Sequence, residues 1–246
     1  MNQNRFRKQL VLLLLLFTVW IGGCSGVTQP ATRQTANPNT PIAATPTEPD
    51  QTLPRLNGTA MVEIKVNGKL ITIEVDGEKA PITAGNFIEL VNRGVYDGVA
   101  FHRVVRQPQP FVVQGGDPQS KNKKVPMAQL GTGGYVNPAT GQERYIPLEI
   151  QPEGATEPVY SDTFDGKGIK AKPTLKHTRG AVAMARSRLP DSASSQFYFA
   201  LSDLPFLDGN YAVFGYVTDG MDVVDQIQQG DRVESATVVE GLENLN

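Results

Sequence analysis

The chain has 246 residues, 39% hydrophobic and 20% charged, enough for one sizeable core and short for two full domains. Residues 56–246 hold 18 basic and 23 acidic side chains, a formal −5, which argues against nucleic acid or anionic lipid as that region's main partner. A single cysteine rules out an intrachain disulfide, and two unclustered histidines, His102 and His177, point away from zinc or any other metal.

Arg5, Arg7 and Lys8 precede an apolar run from Leu10 to Ile21, the order of an export signal over residues 1–23. Twelve residues are too short for a permanent transmembrane helix. Residues 25–55 contain six prolines, seven threonines and no aromatic residue, so they cannot bury enough apolar surface to offset chain entropy. The segment 24–55 therefore reads as a disordered tether, reaching between about 30 Å as a coil and roughly 95 Å as extended polyproline. The folded domain is assigned to residues 56–246.

Within that domain, Met61 to Val66 and Leu70 to Val75 alternate apolar and polar residues around Asn67-Gly68, a hairpin pattern. Pro81 opens a helix in which Ala84, Phe87, Ile88 and Val91 share a face, ending at Gly94. Short strands are predicted at 100–105, 111–114, 180–185, 196–201, 212–217 and 234–239, and a short helix near Met221 to Ile227. Many short strands with two helices define a mainly β protein, either barrel or sandwich. Between Asp117 and His177 the chain is rich in glycine, proline and charge, with Ile146 to Ile150 its one compact apolar cluster. A connection of that length carries local structure or function. Lys121, Lys123 and Lys124 read as a solvated loop.

Three ordered blocks stand out: Phe101-His102-Arg103 with Phe111-Val112-Val113-Gln114-Gly115-Gly116-Asp117; Gly180 to Arg186 with Ser195-Gln196-Phe197-Tyr198; and Phe206-Leu207-Asp208-Gly209-Asn210-Tyr211 through Gly215. Together they resemble the signature of the cyclophilins, peptidyl-prolyl cis-trans isomerases. The resemblance runs from about Leu56 to Glu240, with a long insertion around 117–176. It implies a closed antiparallel eight-stranded barrel capped by two helices. Separately, Ile21-Gly22-Gly23-Cys24-Ser25 resembles a bacterial lipobox, which implies lipidation at Cys24 and an exported domain anchored to the cell membrane or outer membrane.

Carried over by position, the resemblance makes Arg103 the catalytic donor and Gln114 the residue that orients it. Phe111, Val112, Tyr198, Phe206, Leu207 and Tyr211 would line the proline pocket, while Ala185, Arg186 and Gln196 flank the peptide groove. No cofactor is implied, and the expected partners are proline-containing polypeptides met by a monomer. Each residue has a plainer reading: the aromatics and Val112 as core, Arg103 as an ion-pair arginine, His102 as a hydrogen-bonded strand anchor. Arg106-Gln107-Pro108-Gln109-Pro110 is longer than the family's usual turn and bears on where Phe111 and Val112 sit. Phe206 and Tyr211 stand where the best-known eukaryotic members carry tryptophan and histidine. The rival function is a catalytically weak peptide-binding or scaffold module of the cell envelope.

Overall fold

The computed structural model describes residue 50 and residues 52–246. The expected signal segment, Cys24 and most of the tether lie outside these residues. Leu53 packs on the core and Arg55 exchanges backbone hydrogen bonds with Asn246 at 2.8 and 2.9 Å, so chain just before Leu56 joins the domain.

Strands β1 (Thr59–Val66) and β2 (Lys69–Asp76) form the predicted hairpin. Asn67 and Gly68 take positive φ values of 51° and 75°, the left-handed pair that a tight two-residue turn demands. On β1, Ala60, Val62, Ile64 and Val66 face inward while their neighbours face out. Helix α1 (Pro81–Asn92) follows, with proline in its first turn and Phe87, Ile88, Leu90 and Val91 buried.

The rest of the main sheet comes from β3 (Arg103–Val105), β4 (Val112–Gly115), β7 (Ala181–Met184), β8 (Phe197–Ala200), β9 (Val213–Asp219) and β10 (Val233–Glu240). Helix α2 (Met221–Gln226) packs on β2. The sheet order is β10-β1-β2-β9-β7-β8-β4-β3, antiparallel throughout.

This sheet corrects the closed-barrel expectation. It is an open half-barrel with β3 and β10 as its edges. Strand β3 is only three residues long, and Pro108 and Pro110 beyond it offer no N–H to a ladder. The two edges are linked where the chain leading into β3 meets the start of β10: Phe101 N–H donates to the Asp231 carbonyl at 2.8 Å and Val233 N–H to that of Val99 at 2.9 Å.

One apolar core fills the concave side. Phe87 lies 4.9 Å from Phe214 and 5.4 Å from Phe197, ring centre to ring centre, and Phe197 meets Tyr96 edge to face at 5.3 Å. A smaller cluster of Val112, Ala181, Ala183, Tyr198, Ala200, Leu204 and Val213 covers the opposite face of β4, β8, β7 and β9.

The 117–176 insertion has structure that its composition concealed. Strands β5 (Glu149–Ile150) and β6 (Val159–Tyr160) form a two-stranded sheet. Glu149 is buried, and its carboxylate accepts from the N–H groups of Ile82 at 3.1 Å and Thr83 at 2.7 Å. Ala80 offers α1 no side-chain cap, so the insertion caps the helix from outside. Burial pushes the Glu149 carboxyl above its ordinary pKa despite these hydrogen bonds.

Candidate active site

Successive side chains of a strand point to opposite faces, so register decides which residues meet. Arg103 pairs with Gln114, Gln114 with Tyr198, Tyr198 with Ala183, and Ala183 with Val213. One row across five strands thus carries an arginine, an amide, a phenol and two small apolar residues on the outer face. The row beside it is Val105, Val112 and Ala200. The alternate residues Val113, Phe197 and Phe199 enter the main core.

A pocket of about 260 Å³ opens over this face, lined by Arg103, Phe111, Val112, Gln114, Ala185, Arg186, Tyr198, Leu207 and Tyr211. Nine of the eleven proposed catalytic and substrate-binding residues therefore converge. Gln196 lies outside the pocket and lines an adjoining groove of about 680 Å³, which shares Gln114, Ala185 and Arg186 with it. Phe206 stands at the rim, 66% exposed, stacked on Phe111 at 6.0 Å. Its exposure excludes the plain core reading for this aromatic.

Arg103 is exposed, so its charge bears little desolvation cost. Its guanidinium lies 5.3 Å from the Phe111 ring centre, and Nη1 donates to Gln114 Oε1 at 3.3 Å. Among the described residues it makes no ion pair, which sets aside the structural-arginine reading. Gln114 Nε2 donates onward to Gln196 Oε1 at 3.1 Å, and Gln196 Nε2 to the Gly133 carbonyl at 2.7 Å. This chain of amides ties the arginine to the insertion. The loop there is shaped by buried Asp117, whose carboxylate accepts from the N–H groups of Gln119, Gly131 and Gly133 at 2.9, 2.7 and 3.2 Å. A Cβ at Gly133 would fall 2.4 Å from Asp117 Oδ1 and 2.6 Å from Gln119 Nε2, so any larger residue would have to push these side chains aside.

The long turn after β3 leaves Phe111 and Val112 in the pocket with Arg103. Arg106 fastens the turn by donating through Nη2 to the carbonyls of Val224 and Asp225 at the end of α2, at 3.2 and 2.8 Å. Arg186 is a wall of the pocket: Nε and Nη2 donate to the Asn210 carbonyl at 3.0 and 2.7 Å, and its guanidinium lies 4.7 Å from the Tyr211 ring centre.

His102 departs from the expected hydrogen-bonded anchor. It is buried, neither ring nitrogen makes a well-aligned hydrogen bond among the described residues, and burial lowers its pKa from 6.5 although the Asp117 charge and the nearby Ala100 backbone oppose this. It immediately precedes Arg103, the first residue of β3, and unlike Arg103 is buried. Two polar residues behind the pocket were not anticipated. His177 Nε2 lies 3.0 Å from the Tyr198 hydroxyl, and His177 Nδ1 lies 2.9 Å from Asp208 Oδ1. His177 and Asp208 are 31 residues apart, a separation with no sequence signature.

A mainly β half-barrel with two helices, carrying an arginine in a pocket with aromatic and aliphatic walls, is a cyclophilin-type arrangement. The family described as cyclophilin type peptidyl-prolyl cis-trans isomerase/CLD matches residues 61–243, and the chain belongs to it. A Synechocystis relative named for the thylakoid lumen and for peptidyl-prolyl cis-trans isomerase activity is 40% identical over 204 residues, 78% of this chain and 50% of the relative. The chloroplastic peptidyl-prolyl cis-trans isomerase CYP38 of Arabidopsis thaliana is 39% identical, over 78% of this chain and 45% of its own length. The chain thus spans about half the length of these two relatives. A Brucella abortus relative named for the same activity is 35% identical, over 72% of this chain and 76% of that one. Among solved structures, a cyclophilin type isomerase from Cryptosporidium parvum aligns with a TM-score of 0.54 at 24% identity, covering 74% of this chain and 98% of that one. The same protein crystallised in the presence of the dipeptide Ala-Pro gives 0.53 at 25% identity, covering 73% and 99%.

Proposed function

We propose that the chain is a peptidyl-prolyl cis-trans isomerase that accelerates X-Pro rotation in exported proteins and so assists their folding. The observation that carries this reading is Arg103, without an ion-pair partner among the described residues, in the wall of the 260 Å³ pocket that it shares with Phe111, Val112, Leu207 and Tyr211. A proline ring has no polar handle, so Phe111, Val112, Leu207 and Tyr211 suit it, and the polar edge fixes direction.

The planar imide resists rotation by about 18 to 20 kcal/mol, because its nitrogen lone pair is conjugated with the carbonyl. Twisting localises that lone pair. An Arg103 donor facing the nitrogen then strengthens its hydrogen bond in the twisted state and not in the flat ground state, which is differential binding of the transition state. Each 1.4 kcal/mol or so of such preference gives about tenfold in rate. Gln114 holds the guanidinium, and no nucleophile or acid-base pair takes part.

The domain would act outside the cytoplasm, tethered through lipidated Cys24, as the basic-then-apolar leader and the Gly22-Gly23-Cys24 ending suggest. The names of the Synechocystis and Arabidopsis relatives, lumenal and chloroplastic, are in keeping with a compartment beyond the cytosol. NMR exchange spectroscopy on a short X-Pro peptide tests the activity: cis-trans exchange should be faster with the protein present at catalytic amounts. Exchange no faster than the peptide's own would favour the rival binding module.

A further inference from the structure

Behind the proline pocket, three side chains from separate segments form a buried line. Tyr198 of β8 lines the pocket and is 5% exposed. Its hydroxyl meets His177 Nε2 at 3.0 Å, the two rings are stacked at 6.1 Å, and His177 Nδ1 meets Asp208 Oδ1 at 2.9 Å. The backbone N–H of His177 donates to the same Asp208 oxygen at 2.9 Å. A carboxylate only accepts, so Nδ1 carries the imidazole proton and Nε2 is left as an acceptor. The Tyr198 O–H must then donate to His177, which turns its proton away from the pocket.

We infer that His177 and Asp208 are positioning residues for prolyl-peptide binding: they fix the Tyr198 hydroxyl proton outward and thereby keep the proline pocket free of a competing donor. The inference rests on the isomerase reading for the identity of the ligand. Without His177 the phenol's proton has no acceptor on that side, and the hydroxyl of Tyr198, which shares the pocket wall with Phe111, Leu207 and Tyr211, is free to turn its donor toward a proline ring that cannot satisfy it.

The line is reachable by protons. An open cleft of about 480 Å³ on the far side is walled in part by His177 and Asp208 and also presents Asp165, Lys170, Lys172, Lys176 and Asp203. The phenol of Tyr216 on β9 faces the same segment, accepting from Lys176 N–H at 2.8 Å. Burial lowers the His177 pKa from 6.5, against the opposing pull of Asp208. The imidazole is therefore neutral, and the hydroxyl directed outward, above pH 6.5. Acidification puts a proton on Nε2, which then donates to the phenol oxygen and displaces the phenol's own proton.

The test is a double-substitution cycle read by NMR exchange as separate KM and kcat values, with a pH series. His177→Phe should raise KM about tenfold and change kcat by less than about twofold, since the contact is equal for flat and twisted substrate. In a Tyr198→Phe background the same substitution should change KM by less than about twofold. His177→Gln, whose amide oxygen can replace the Nε2 acceptor, should recover most of the loss and abolish the rise in KM on acidification. An equal KM penalty in both backgrounds, or an acid-side rise that persists in His177→Gln, overturns the inference. Should the native protein bind peptide without accelerating exchange, the isomerase reading fails alone, and the same cycle is read as Kd from chemical-shift titration.

Discussion

Arg103 and Gln114 stand directly opposite each other in the β3–β4 ladder, with Arg103 Nη1 donating to Gln114 Oε1 at 3.3 Å. The pairing gives the arginine an anchor that is neutral. A carboxylate in that place would hold the guanidinium more strongly and compete with the substrate for it.

Gln114→Ala removes that anchor and cuts Arg103 off from Gln196 and Gly133. The expected result is a loss of about tenfold in kcat/KM, short of the hundredfold or so that a misplacement of about 1 Å can cost. The melting temperature should stay within a few degrees of native, because Gln114 is half-buried and outside the main core. Exchange spectroscopy beside a thermal melt measures both.

The core-facing side of β8 should respond differently from the pocket rim. Phe197→Ala opens a cavity among Phe87, Tyr96 and Phe199 and should cost about 3–5 kcal/mol of stability in denaturant unfolding. Phe206→Ala, at an exposed position, should cost under about 1 kcal/mol. It should nevertheless raise KM for an X-Pro peptide, because Phe206 covers Phe111.

Glu149→Ala leaves the N–H groups of Ile82 and Thr83 unpaired at the start of α1. A stability loss of about 2 kcal/mol is expected, the upper range for a lost helix cap. Amide hydrogen exchange should quicken first at residues 82–84, and protection there equal to native would show that the carboxylate is dispensable.

How much of this was legible follows from how far each feature reaches along the chain. Asn67-Gly68 specifies its hairpin locally, and Pro81 to Val91 specifies α1. The residues Arg103, Gln114 and Tyr198 were legible because each block reads as a short strand and the family resemblance assigned them to one site; the register that lines them up appears only in the structure. Strands β5 and β6 are two residues each, too short for any periodicity, and Glu149 gave no sign that it caps a helix 66 residues earlier. The half-barrel's open edge depends on a three-residue β3, a length that the apolar run 100–105 overstated.

Both histidines shift in one direction. Burial lowers the folded-state pKa of His102 and of His177 below the unfolded 6.5. As pH falls through 6.5 the unfolded chain takes up protons that the folded one refuses, so stability is lost from about pH 6.5 down to the folded pKa values. Raised Glu149 works the other way, since the folded state takes its proton first. His102→Leu isolates one histidine: its melting temperature should fall less between pH 7.5 and 5.5 than that of the native protein. An identical slope in calorimetry would contradict the burial argument.

Cys24→Ser is expected to release the protein from membranes on fractionation, if the cysteine carries the anchor. A variant that still sediments with membranes would argue against lipidation.

The most direct test of the account is prolyl exchange with Arg103→Ala. Among the described residues Arg103 contributes no ion pair and little burial, so the variant should melt within about 2 °C of native, in keeping with exposed substitutions. Its exchange rate enhancement should fall by a hundredfold or so, on the order of the loss of one donor aimed at the transition state. Full acceleration by a folded Arg103→Ala protein would contradict the central claim.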